Sequence, residues 1–222
     1  MLVVALGGPG CERKAIPPRL PTEPGGQATA GSTDDARALL EGGRLVFEDD
    51  FERESLGDHW TTKDHVWGIV GGAVHTADAR NAGLWLDIEL PERARISFDA
   101  RSEPRTGGKP FEGDLKCEVF AERPEHQGGY ILINGGWNNQ LDVIARKDEH
   151  GADRKAQPAA PVEPSRIYRW TIVRDGAAID WYRDDQRLMR YEDPEPVKGH
   201  FFGFNDWEAN VFFDNLRVYA LD

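Results

Sequence analysis

Short runs of alternating apolar and polar residues dominate this chain from about residue 43 onward. Ala94, Ile96, Phe98 and Ala100 alternate with Arg95, Ser97, Asp99 and Arg101. That is the period-2 pattern of a strand with one buried face. Leu115, Cys117, Val119 and Ala121 alternate in the same way with Asp114, Lys116, Glu118 and Phe120. Residues 45–51, 83–90, 129–134, 141–146, 167–174, 177–183 and 188–191 read as further strands. Gly71-Gly72, between 66–70 and 73–76, and Asp175-Gly176 predict hairpins, because glycine accepts positive φ. A turn over 52–57 leads to Trp60, and 102–112 and 147–166 read as loops. The chain closes with two aromatic-rich runs, 199–204 and 211–221, predicted as antiparallel strands around a polar insert at 205–210. Roughly thirteen strands at this spacing predict an all-β sandwich or barrel. No long segment has helical periodicity, and no strict repeat points to a propeller or solenoid.

The first 42 residues differ in kind. Residues 1–11 run from an apolar stretch through small residues to Cys11, like the cleavage region of a bacterial lipoprotein signal. The basic residues that normally open such a signal are absent, and Pro9 interrupts the small ones. A start lying further upstream would supply the first. Residues 12–42 repeat Pro, Gly, Ala, Thr and Ser, with too little apolar content to offset the entropy of ordering. They read as a flexible tether, with a short helix at 34–41. The expected organisation is a signal over 1–11, a tether over 12–42 and one folded domain over 43–222. Lipidation at Cys11 would make the protein extracytoplasmic, held to the cell envelope. No other apolar run approaches the roughly 20 residues of a membrane span.

Composition narrows the partners. A formal net charge of −12 disfavours nucleic acid, whose phosphates need a basic surface. An acidic surface suits an uncharged partner such as a sugar, and equally suits solubility. Two cysteines make no disulfide framework, and Cys117 reads as a buried free thiol. The six histidines show no metal-ligand spacing. No cofactor is implied beyond a Ca²⁺ site using Asp206 or Asp142 with backbone carbonyls.

Three landmarks carry a family resemblance. One is the first strand ending Glu48-Asp49-Asp50-Phe51, followed by Trp60. Another is Tyr168 through Gly176 followed by Ile179-Asp180-Trp181-Tyr182. The third is Gly203-Phe204 with Phe213-Asp214-Asn215-Leu216-Arg217-Val218. Together they resemble the concanavalin A-like lectin/glucanase superfamily, in particular its laminin-G-like and 3-keto-disaccharide-hydrolase-like bacterial members. The resemblance implies a jelly-roll β-sandwich of two curved antiparallel sheets, with sugar bound on the concave face. One such fold hosts many functions.

Candidate chemistry falls in three places. Glucanases of this superfamily carry Glu-x-Asp-x-Glu on one strand, and the nearest stretch here is Asp114-Leu115-Lys116-Cys117-Glu118. Its middle carboxylate has become Lys116, so an enzyme would use Asp114 and Glu118, with Glu208, as acid/base groups. If the strands are neighbours, Asp99 and Arg101 join Asp114, Lys116 and Glu118 in one polar patch. That patch reads either as the floor of a sugar groove or as a cross-strand ion-pair ladder. Asn134, Trp137 and Asn138 form the second place, and Asn205, Asp206 and Trp207 the third. Each puts an indole, on which a pyranose ring can stack, beside an amide that donates and accepts. The leading expectation is a domain that binds poly- or oligosaccharide. The alternatives are a glycoside hydrolase or lyase on the same groove, and a structural or adhesion domain with no small ligand.

Overall fold

A computed structural model describes residues 38–107 and 111–221. The signal, Cys11 and most of the tether lie outside the described residues. Of the helix expected at 34–41, residues 38–41 are described and are helical. Fifteen strands are present among the described residues. They are β1 Arg44–Asp49, β2 Trp60–Thr62, β3 Gly68–Val70, β4 Ala73–Thr76, β5 Leu84–Leu86, β6 Ala94–Glu103, β7 Leu115–Ala121 and β8 Tyr130–Gly135. Then follow β9 Leu141–Arg146, β10 Lys155–Pro158, β11 Tyr168–Asp175, β12 Ala178–Arg183, β13 Gln186–Glu192, β14 Phe201–Asn205 and β15 Asn210–Ala220. The short strand β2 follows the turn predicted at 52–57, and β10 falls inside the loop predicted at 147–166.

The strands form two antiparallel sheets, a jelly-roll β-sandwich. One has the order β13-β12-β11-β6-β15-β4-β3, with β1 also on β15. The other runs β10-β9-β8-β7-β14-β5-β2. Between them lies one aromatic-rich core, in which Phe98, Phe202, Phe204 and Phe213 meet ring to ring. The Gly71-Gly72 hairpin forms as expected, with φ of 59° and 76°.

Three expectations change. The two closing runs are strands, as expected, but they do not pair with each other. β14 pairs with β7 and β5, and β15 pairs with β1, β4 and β6. The polar insert therefore crosses from one sheet to the other. Phe204 and Phe213 stack across the core instead, with centroids 4.3 Å apart. Second, Phe120 does not share the outward face of Lys116 and Glu118. It has φ of 54° beside a register shift, and this bulge turns its ring into the core. Third, β6 and β7 lie in opposite sheets, so Asp99 and Arg101 do not join the Lys116 face.

Candidate functional site

Five strand ends meet at one end of the seven-stranded sheet: the starts of β5, β7 and β9 and the ends of β8 and β14. A cavity of about 440 Å³ opens there. Asn81, Glu112, Asp114, Lys116, Ile133, Trp137, Asn138, Glu149, His150, Trp207 and Glu208 line it. Six of these eleven are residues the sequence singled out: Asp114, Lys116, Trp137, Asn138, Trp207 and Glu208. Two separate Trp-bearing loops thus converge on the strand that follows Asp114 and carries Lys116.

Backbone strain concentrates here. Asn81, Asp114, Trp137, Asn138 and Glu208 all have positive φ, between 38° and 60°. Each non-glycine residue so placed costs on the order of 1–3 kcal/mol, and such residues cluster at functional sites. Trp137, Asn138 and Asn139 form a left-handed turn after Gly135. The Asn139 side chain secures it, accepting from the Val162 N–H at 2.9 Å and donating to the Val162 carbonyl at 2.8 Å. The turn holds the Trp137 indole against the ring of His150 and the guanidinium of Arg154, at 5.6 and 4.9 Å between centres.

The opposite rim is the crossover from β14 to β15. Its backbone is tied to the link between β4 and β5: the Asn81 N–H donates to the Asp206 carbonyl at 3.0 Å, and the Glu208 N–H to the Ala79 carbonyl at 2.7 Å. Glu208 also pairs with the Arg80 guanidinium. So fixed, Trp207 stays half-exposed at the cavity mouth.

Polar groups make up the floor. Lys116 is 1% exposed, with its ammonium 2.5 Å from both Glu149 Oε2 and Asn81 Oδ1. Asp114 accepts the Trp207 N–H through Oδ2 at 3.0 Å. Burial pushes the Asp114 carboxyl up to about 6; Glu149 and Glu112 add to the rise, and Lys116 opposes it. Asp206 beside it is also raised, first by burial and then by Asp114.

Several expected site residues are placed elsewhere. Glu118 is fully buried, accepting from Asn205 Nδ2 at 2.5 Å and the Gln127 N–H at 3.1 Å and lying 2.7 Å from His126 Nδ1. It anchors the 122–128 loop and cannot face a substrate. Asn205 is equally buried, its side-chain oxygen accepting the Asp206 N–H at 2.8 Å. Asn134 is buried against Asp142, the Ala160 carbonyl and Arg183. Asp206 stays under the rim, its carboxylate accepting the Ala209 N–H. Asp99 and Arg101 lie on the far sheet, bonded to Asn215 and Glu103 at 3.0 Å each; Arg101 also covers the Phe212 ring.

The residues proposed for Ca²⁺ are also engaged. Asp142 accepts from Asn134, the Gly135 N–H and the Ala160 N–H. Among the described residues, no group of three or more His, Cys, Asp or Glu side chains is arranged to hold a metal ion.

Asn81, Glu112, Ile133, Glu149 and His150 line the cavity without having been singled out. Glu149 and His150 sit in the 147–154 segment, which carries no periodicity that would bring it back over the sheet. Asn81 is an ordinary link residue in sequence.

No family model matches the sequence, and no curated protein matches it. The fold does match solved structures. Carbohydrate-binding module CBM66 from Bacillus subtilis aligns with a TM-score of 0.60 at 15% identity, covering 73% of this chain and 96% of that one. The Bacillus licheniformis β-glucanase aligns with a TM-score of 0.56 at 10% identity, covering 82% and 100%. The carbohydrate recognition domain of Emp47p gives 0.57 at 11% identity, covering 79% and 96%. The chain shares the jelly-roll β-sandwich fold of these structures.

Proposed function

We propose that this protein is an extracytoplasmic carbohydrate-binding domain that takes a poly- or oligosaccharide in the cavity between Trp137 and Trp207. The observation that carries the reading is the convergence of two indoles from separate loops on one polar cavity. Its volume, about 440 Å³, falls in the roughly 300–1,000 Å³ range of small-molecule sites. Indole faces stack on the apolar faces of pyranose rings, while Asn81, Asn138 and Asp114 supply the hydrogen bonds that orient hydroxyls. Structural neighbours that are named as carbohydrate-binding domains support the reading. The extracytoplasmic placement rests on residues 1–42, with attachment to a membrane only through a lipid at Cys11.

One observation favours a second reading, glycoside hydrolysis in the same cavity. An aspartic acid raised to about 6 is in the state of a general acid, and Glu112, Glu149 and Glu208 share its cavity. Glu118 has no part in this version. A glycan array combined with a reducing-sugar release assay separates the readings. Binding without turnover supports the binding domain, turnover lost in Asp114→Asn supports the hydrolase, and neither result rejects both.

A further inference from the structure

The charges around the cavity are unequal. Glu112, Asp114, Glu149 and Glu208 line it, against Lys116 and His150. Lys116 is committed to Glu149 at 2.5 Å, and Glu208 to Arg80. Asp114 is in no ion pair among the described residues, although the Lys116 charge acts on it. It is 9% exposed, its Oδ2 accepts the Trp207 N–H, and its Oδ1 has no hydrogen-bond or ion-pair partner among the described residues. A nearly buried side chain in the wall of the cavity therefore has one carboxyl oxygen that meets solvent and has no donor among the described residues.

The aromatic rims point the same way. Indole faces attract cations, and the Trp137 ring already carries the Arg154 guanidinium at 4.9 Å. Trp207 is half-exposed, and its backbone N–H, not its indole, donates to Asp114 Oδ2. An unpartnered carboxyl oxygen and an open indole lining one cavity suit a primary ammonium, which can donate a charge-assisted hydrogen bond to the oxygen and lie over the ring. A carboxylate-bearing sugar would instead meet like charge at that oxygen, which costs affinity.

We infer that the saccharide bound here carries a free amine, an amino sugar whose ammonium lies against Asp114 Oδ1 at the Trp207 rim. The inference rests on the saccharide-binding reading and adds the chemical class of the ligand. The raised proton affinity of Asp114 agrees with it, since an incoming ammonium supplies the positive charge that the burial lacks.

The test is calorimetric titration at about pH 6, where Asp114 is about half ionised and a sugar amine is largely protonated. The probes are the fully deacetylated β-1,4-glucosamine tetramer, its N-acetylated counterpart and cellotetraose. The deacetylated tetramer is expected to bind about tenfold or more tighter than either neutral one. Asp114→Asn, which keeps an acceptor for the Trp207 N–H, is expected to bring that ratio close to one. Trp207→Ala, at a half-exposed position, is expected to reduce it without disturbing the fold. Equal or tighter binding of a neutral tetramer would overturn the amine while leaving saccharide binding in place. A preference that survives both substitutions would show a polycation held by the acidic surface elsewhere, and would also overturn it. If the intact protein binds no tetramer, the amino-sugar inference fails. If it also binds nothing on the glycan array, the saccharide reading fails with it.

Discussion

Asp114 and Lys116 show how one residue's burial becomes a measurable property. The Asp114 carboxyl is raised from 3.8 to about 6, so the native state holds its proton to higher pH than the unfolded chain. Its contribution to stability is complete below about pH 4 and is lost as pH rises through about 6. Asp114→Asn removes that loss. The substitution is expected to raise stability at about pH 7.5 by on the order of 2 kcal/mol, a few degrees in Tm, with little change near pH 4. Thermal melts at the two pH values check this; a variant that gains no stability at the higher pH would contradict the burial cost. Lys116 makes the opposite case. Its ion pair with Glu149 is nearly dry, so Lys116→Met leaves a buried carboxylate uncompensated and is expected to cost roughly 3–5 kcal/mol. The double variant with Glu149→Leu should recover most of that loss. Urea denaturation of the single and double variants measures the coupling, and additive losses would rule it out.

Among the elements, β14 ties the fold to the site. Gly203 pairs with Glu118 on one side and Trp85 on the other. A Cβ added there would stand 2.8 Å from the Trp85 ring and 3.1 Å from the Leu84 carbonyl oxygen. Gly203→Ala is expected to destabilise by about 1–3 kcal/mol through overpacking, seen as a lower denaturation midpoint; an unchanged midpoint would mean that Trp85 moves aside freely. Alternation made β6, β7 and most other strands legible in the sequence, because a half-buried strand must alternate. It could not give sheet membership. β6 and β7 carry the same pattern yet lie in different sheets with their polar faces pointing apart, so the patch expected from Asp99 to Glu118 does not form. Nor could it show that outward-facing Glu118 would be sealed under the 122–128 loop. The Trp-bearing loops were legible because neither indole is needed for its turn. Glu149 was hidden because its role depends on where a long connection folds back.

The whole molecule is a sandwich whose core and site are largely separate. The aromatic core between the sheets holds the jelly roll together, while the cavity sits outside it, at the converging strand ends. Strained backbone at five of its lining residues is supported by the surrounding sheet and crossover hydrogen bonds. A scaffold of this kind tolerates changes at the rim, so loss of binding and loss of fold can be told apart. The measurement that bears most directly on the central claim is the affinity of a glycan identified on the array for the intact protein and for the Trp137→Ala/Trp207→Ala double variant. The account predicts an unchanged fold by circular dichroism and a loss of affinity of about a hundredfold, as for two aromatic anchors that the ligand covers. Undiminished affinity in a folded double variant would contradict it.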